Sequence, residues 1–460
     1  MRTLWYMGAK TRLVPDFING AVGDLLPEGG TILDVCTGTA VVARSFASRY
    51  RVFANDVQRF SATVARGYLV GDQSWVKALD FLDPEEDLAA AFDVQYAAVT
   101  DLAPRALERE DALLPAVIDE LSRRDAGGAT EEYRDLLAHA PLTENDAAAN
   151  TDKRYQPLGA RYDELLTARR RDPHTAPYAL MTLYYAGIYF GLKQAMTIDA
   201  LRGAIDAIPL SDVHRERKRD LYLAALVQAC SISTSGTSHF AQPRDVSRDS
   251  ELLAVARRRS IDIELEFHRA LDAIRREWGS QPRYSEGNQV WNLPVDQLLG
   301  EDGPLEPGQV GLVYLDPPYT ADNYSRFYHV LETLVTYDYP ELERRGGNIT
   351  KGRYPSREHR HQSAFCRREK VESAFRGVVE ACARLKAKLL VSYSADSGLL
   401  FRHWRDRSEE EALAPESRFL ELFRDTYADV ELRQRDLMHS GQGDSNRSVR
   451  ELLVLCDTES

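Results

Sequence analysis

The stretch from Thr31 to Val57, TILDVCTGTAVVARSFASRYRVFANDV, constrains the fold more than any other part of the chain. A short apolar run reaches Asp34, a Gly/Thr turn follows, VVARSFASRY reads as a helix, and RVFANDV closes on Asn55 and Asp56. Strand, turn, helix and strand in this compass predict a βαβ crossover, which commits the chain to a parallel sheet with a right-handed connection. Strand signals then lapse and return late, in QVWNL (289–293), GLVYLD (311–316), AKLLVSYS (387–394), DVELRQRDL (429–437) and RELLVLC (450–456). No helical pattern separates the last two, so they are expected as an antiparallel pair at one edge of the sheet.

Between these groups of strands, alanine, leucine, arginine and acids recur at helical spacing. A crossover normally needs only a few tens of residues, whereas this gap is about 200 long. The excess reads as an inserted helical domain, giving boundaries of 1–81, 82–285 and 286–460. At 460 residues and 43% hydrophobic, the chain is long and apolar enough for more than one core. The apolar run YALMTLYYAGIYFGL (178–192) is shorter than a membrane span and meets Lys193, so a buried helix is expected. The first residues, MRTLWYMGAKTRLVPDF, lack the apolar core of a secretory signal. The expectation is a cytoplasmic, nucleoid-associated protein without a membrane partner.

Five cysteines without short paired spacings argue against a disulfide framework and a cysteine-rich zinc site. His359 and His361 lack a completing cysteine or acid nearby, so a solvated basic loop is expected and no metal. The net charge of −13 weighs against a nucleic-acid partner unless local clusters offset it. Such clusters exist in ARRRD (168–172), HRERKRD (214–220) and the stretch 343–361.

The turn after Asp34 lies where open α/β sheets bind ligands, beyond the carboxyl end of a strand. Gly38 permits close approach of a ligand to the backbone. Asp56 follows Asp34 by roughly 20 residues, the spacing at which an acid meets ribose hydroxyls. Yet CTGTAVVA lacks the three-glycine cradle for a pyrophosphate. An acid for ribose without a phosphate cradle favours S-adenosylmethionine, and Asp34 can attract its cationic end. At the amino terminus, Trp5 and Tyr6 supply flat faces, Gly8 a tight turn, and Lys10 a partner for a ligand carboxylate.

The fourth strand signal ends in Asp316, Pro317, Pro318 and Tyr319. Prolines cannot donate to a sheet ladder, so the strand stops in a rigid corner. An exocyclic amine on a nucleobase is a poor nucleophile because its lone pair is delocalised into the ring. The Asp316 carboxylate and the Pro317 carbonyl can accept its N–H hydrogens, and the Tyr319 ring can stack on the base. Holding these groups in place beforehand suits direct methyl transfer to a planar amine.

The order YMGAK, DVCTGT, Asn55-Asp56 and DPPY, with a long insertion before DPPY, resembles the alpha-group, Dam-like adenine-specific DNA methyltransferases. The resemblance covers residues 1–70 and about 290–456. It implies a Rossmann-like α/β methyltransferase sheet whose helical insertion serves target recognition. It further implies that Tyr6, Met7, Gly8 and Lys10 hold the methionine part of S-adenosylmethionine. Asp34, Cys36 and Gly38 would form the main cofactor turn, Asp56 would meet the ribose, and Asp296 would meet the adenine, with Asn292 as competitor. Asp316, Pro317, Pro318 and Tyr319 would hold an adenine flipped from double-stranded DNA, with Arg353 and Arg357 on phosphates. Where relatives carry a second glycine and a phenylalanine, this chain has Thr39 and Cys36. A separate nuclease or other phage-defence proteins are the implied partners. Other substrates open at this point are cytosine N4, an RNA base and a protein glutamine; a non-catalytic DNA-binding module is the further alternative.

Overall fold

A computed structural model describes residues 10–71, 79–140, 152–237, 239–280, 286–405, 415–440 and 446–458. They divide into two compact units. Residues 10–71, 286–324 and those from 361 onward build a sheet unit; residues 79–279 and 325–360 build a helical unit. The sequence reading left 325–360 in the sheet domain, but its contacts lie within the helical unit. Buried bonds carry this assignment: Tyr337 Oη donates to Asp199 at 2.6 Å, and Arg202 donates to the carbonyl of Leu334 at 3.1 Å.

The strands among the described residues are β1 (Thr31–Asp34), β2 (Arg51–Asn55), β3 (Gln289–Trp291), β4 (Leu312–Leu315), β5 (Arg344–Arg345), β6 (Asn348–Ile349), β7 (Lys388–Ser394), β8 (Asp429–Ser440) and β9 (Asn446–Asp457). Strands β5 and β6 form a hairpin in the helical unit. The other seven form one sheet in the order β3-β2-β1-β4-β7-β9-β8. All neighbours from β3 to β7 are parallel, and β9 pairs antiparallel with both β7 and β8. The expected mixed α/β architecture with a mostly parallel sheet and an antiparallel edge pair is therefore present.

Strand β4 is buried along its whole length, as parallel strands covered on both faces must be. The two-residue period sorts side chains into two cores. Leu33, Val35, Val313, Leu389 and Leu452 pack on one face, and Ile32, Leu312, Tyr314, Leu390, Leu453 and Leu455 on the other. Helix Val371–Arg384 covers the first face with Val371, Phe375, Val378 and Cys382, the spacing of one helical stripe. Helix Val41–Phe46 joins the second core through Val42, Ala43 and Phe46.

The chain runs from β1 outward to β2 and β3, then returns to β4 on the other side of β1. Strand order thus reverses between β1 and β4, which opens a crevice at their carboxyl ends. Asp34 ends β1, and Asp316 follows β4 directly, so two carboxylates flank that switch point.

In the helical unit, the apolar run expected as one buried helix divides. Helix Leu180–Tyr185 stops before Gly187, which has a φ of 74°, and helix Leu192–Asp206 begins after the turn. A glycine at positive φ ends a helix because it lacks the Cβ that would clash there. No helix among the described residues is long and apolar enough to cross a membrane.

Candidate active site

The corner after β4 is fixed by its backbone and its aromatic neighbours. Leu399 N–H donates to the Tyr319 carbonyl at 2.7 Å. The Tyr319 ring meets Tyr393 edge-on at 6.0 Å, and Pro317 is buried. Lys10 closes the corner from the amino-terminal side. Its ammonium lies 2.6 Å from Glu451 Oε1, 3.0 Å from Tyr319 Oη and 3.2 Å from Asp316 Oδ1. It also sits over the Tyr319 ring, 4.7 Å from the centroid. Two of its three donors are taken by Glu451 and Tyr319, while Asp316 Oδ1 stands at ion-pair distance without a hydrogen-bond partner. The sequence leads one to expect a ligand carboxylate beside Lys10; the carboxylates beside it in the structure are those of Asp316 and Glu451.

Burial governs the charges here. It raises the Asp316 pKa to about 7, with Lys10 lowering it and Glu451 raising it. Burial opposes the Lys10 charge too, but Asp316, Tyr319 and Glu451 more than offset this and hold its pKa well above the ordinary value. Asp34 is held well above the carboxylate range by burial, then by Asp316 and Asp56. Burial lifts Asp56 to about 6 against the lowering effect of its backbone donors and lifts the Tyr319 phenol to about 12. Asp34 Oδ1 is buried without a hydrogen-bond partner. Among the described residues, several mutually repelling carboxylates here share one lysine.

The turn after β1 is organised by backbone and carboxylate bonds. Asp56 accepts from Gly38 N–H and Gln58 N–H, both at 2.8 Å. Asn55 donates to the carbonyls of Val35 and Leu293, tying the ends of β1 and β3 together. Gly38 has a φ of 55° and Ala40 a φ of 59°. Thr39, singled out in sequence as the departure, is not among the positive-φ residues. The residue that carries the unusual conformation is Ala40, which is fully buried. Gly38→Ala is expected to cost about 1–2 kcal/mol, because it forces a Cβ into the left-handed region. Ala40→Gly relieves a similar strain while loosening the unfolded chain, so it should change stability by less than about 1 kcal/mol. Urea unfolding of both variants checks this, and equal losses would contradict the assignment of strain to Ala40.

Cys36 is half-buried beside this turn, its thiol pushed up by burial. Asp296 lies exposed in the first turn of helix Val295–Leu298, just past β3, while Asn292 donates to the Asp56 carbonyl at 2.7 Å. Asn292 is thus committed to the turn and Asp296 is open. Tyr6, Met7 and Gly8 lie outside the described residues.

The two expected phosphate contacts separate. Arg353 is 3% exposed and its guanidinium faces the carbonyl of Leu183 at 3.4 Å, so a surface phosphate role does not fit it. The side chain of Arg357 is 84% exposed and stands 3.7 Å from Glu343. With Arg170, Arg344 and Arg345 it lines a cleft of about 470 Å³ beside the β5–β6 hairpin. Among the described residues no cluster of histidine, cysteine and acids could hold a metal. All five cysteines are free.

Sequence reasoning missed Glu451 and Ser392. Glu451 is 3% exposed and Ser392 donates to its Oε1 at 2.6 Å. A signal did exist: in β9 Glu451 shares the parity of Leu453 and Leu455, which face the core. An acid in phase with buried leucines calls for a buried partner.

The domain is thus an open α/β sheet with acids and a fixed tyrosine at its switch point, the place where such sheets bind ligands. Residues 305–362, which contain the corner, match the family model described as D12 class N6 adenine-specific DNA methyltransferase. The resemblance to N6 adenine-specific DNA methyltransferases therefore includes the Asp316–Tyr319 corner. The chain is 37% identical over 113 residues to Type II methyltransferase M.FokI from Planomicrobium okeanokoites, an alignment covering 25% of this chain and 15% of that protein. It is 31% identical over 113 residues to Modification methylase LlaI from Lactococcus lactis subsp. lactis, covering 25% of this chain and 16% of that one. The matched part thus spans about a sixth of either relative.

Proposed function

We infer that this protein is a site-specific DNA methyltransferase that transfers a methyl group from S-adenosylmethionine to N6 of adenine. The observation that carries this reading is the Asp316-Pro317-Pro318-Tyr319 corner at the sheet's switch point, inside the segment that matches the D12 class. The sheet is read as Rossmann-like and the helical unit as the part that recognises the target sequence.

The crevice suits the cofactor. S-adenosylmethionine brings a sulfonium and an ammonium, and the buried Asp34 Oδ1, without a hydrogen-bond partner, lies beside the carboxylates of Asp316 and Asp56. Asp34 would neutralise its cationic end, Gly38 would let it approach the backbone, and Asp56 would add ribose hydroxyls to the bonds it already accepts. Cys36 and Asp296 would border it, with Asp296 available to the adenine amine. When bound, the cofactor supplies an electrophilic methyl group.

The corner supplies the rest. Asp316 and the Pro317 carbonyl accept the N–H hydrogens of the adenine amine and turn its lone pair outward. Lys10 donates to the Tyr319 hydroxyl, which steadies the ring on which the base would stack. As the new N–C bond forms, the amine must shed a proton. Asp316, with its pKa raised to about 7, can take that proton at neutral pH. Base flipping costs a few kcal/mol, and stacking on Tyr319 offsets part of it. The cleft lined by Arg170, Arg344, Arg345 and Arg357, an excess over its acids Glu341 and Glu343, supports a duplex DNA partner. The names of the two relatives support a restriction-modification setting, in which a separate nuclease would be the partner.

The cofactor reading has a pH signature. Asp56 and Asp316 are raised to about 6 and about 7, and Asp34 is raised as well. A bound cation favours their charged forms, so binding at pH 6–7 should release protons, and affinity should rise from pH 5 to pH 8. Calorimetry in buffers of differing ionisation enthalpy measures the release. An affinity flat across this range with no proton release would contradict the proposed role of the carboxylates. Transfer of labelled methyl groups to unmethylated genomic DNA tests the reaction itself.

A further inference from the structure

The row of side chains on the Ile32–Tyr314 face of the sheet changes character toward the carboxyl ends of the parallel strands. Successive in-phase positions run Ile32 to Asp34, Leu312 to Tyr314, Leu390 to Ser392, and Leu455 through Leu453 to Glu451. Tyr314 continues in phase to Asp316. By register these polar groups step across four adjacent strands, with Asp34 level with Tyr314 and Leu390, Ser392 with Leu453, and Glu451 with Ser394, and Lys10 meets Asp316 and Glu451 among them. Most of this row is already in the cofactor crevice or the corner. Glu451 and Ser392 are not, and both are almost wholly buried.

Burying a carboxylate beside another carboxylate is costly unless it serves the cation between them. Glu451 makes the shortest of the Lys10 contacts, 2.6 Å against 3.2 Å to Asp316. Its Oε1 is held from the other side by the Ser392 hydroxyl, also at 2.6 Å. The ammonium is therefore seated on Glu451 and only leans toward Asp316. Were it seated on Asp316, it would compete with a substrate amine for the same lone pairs.

We propose that Glu451 is a positioning residue for methyl transfer, one that draws the Lys10 ammonium back from Asp316 and keeps the Asp316 carboxylate available to the substrate amine. The proposal rests on the methyl-transfer reading above. Glu451 touches neither substrate nor cofactor; it acts through Lys10. The groups facing it and its partner lysine are Asp316 and Tyr314 from β4 and its end, Tyr319 from the corner, and Ser392 from β7, with Asp34 of β1 acting on Tyr314 and Asp316 behind them. Its neighbour Arg450 is engaged instead with Asp396 and Glu416.

Glu451→Gln keeps size and hydrogen bonding but removes the charge. Lys10 should then settle on Asp316, with two consequences. The Asp316 carboxylate titrates at lower pH, because a repelling charge is gone and the lysine is closer. The plateau rate falls by about tenfold to a hundredfold, because the acceptors are misplaced and partly occupied. Glu451→Asp restores the charge at a longer reach and should return the titration toward the wild-type value.

Two readouts on the full chain test this. One is the carbon-13 titration of carboxyl-labelled aspartates in the cofactor-free protein, with the Asp316 signal identified by its loss in Asp316→Asn. The other is the pH profile of labelled-methyl transfer. The expected result is a lower Asp316 midpoint in Glu451→Gln, an acidic limb that moves with it, and recovery in Glu451→Asp. An unmoved midpoint in a folded Glu451→Gln variant would overturn the proposal, as would a lowered midpoint with an unchanged plateau rate. A midpoint that moves as expected in a protein without methyl-transfer activity would instead overturn the underlying reading of the reaction, since the titration needs no turnover.

Discussion

Asp316→Ala is expected to lower methyl transfer by about a hundredfold to a thousandfold, the usual consequence of removing one preorganised group aimed at developing charge. The loss should appear in kcat, because Asp316 acts on the amine as it becomes a nucleophile and not on the duplex as a whole. Binding of DNA should change by only a few fold. The carboxylate does two things that alanine cannot: it accepts an N–H hydrogen bond and, with its pKa near 7, it takes the departing proton. Asp316→Asn separates these, since an amide still accepts a hydrogen bond through its oxygen but cannot carry the proton. A variant lacking the carboxylate that keeps more than a tenth of wild-type activity would sink this role.

Removing the lysine should damage the fold as well as the reaction. Lys10→Met leaves Asp316 and Glu451 buried at the corner with no cation between them. Breaking a buried ion pair from one side costs about 3–5 kcal/mol. That penalty depends on pH in a definite direction. Lys10 lowers the Asp316 pKa, so its loss raises the folded-state value above about 7. A carboxylate raised on folding binds more protons in the native state than in the unfolded one, so its contribution to stability falls as pH rises through the interval between the two values. Lys10→Met should therefore be markedly more destabilising at pH 8 than at pH 5 in urea unfolding. Its acidic activity limb should also move to higher pH, opposite to the shift expected for Glu451→Gln. A stability loss equal at both pH values would mean that Lys10 works through packing alone.

The sheet was legible in the sequence because parallel strands covered on both faces read as short, continuous apolar runs. TILD and LVYL are such runs, and the acids at or just beyond their ends stand at the carboxyl edge of the sheet. The corner was legible because two prolines admit few backbone alternatives. Partnerships across the sheet were not. Lys10 and Glu451 are 441 residues apart, and only the register of β7 with β9 brings them together. Arg353 read as a surface cation because its neighbours are charged; its burial depends on the packing of 325–360 within the helical unit. The strained position fell at Ala40 and not at Thr39, since motif comparison counts glycines while φ depends on how the turn closes onto Asp56.

The most direct test of the central claim is the identity of the methylated base. Purified protein, labelled S-adenosylmethionine and unmethylated genomic DNA would be incubated, the DNA digested, and the nucleosides separated, with Asp316→Ala in parallel. The account predicts label in N6-methyladenine from the wild-type protein and almost none from the variant. Label in N4-methylcytosine, or equal label from both proteins, would contradict it.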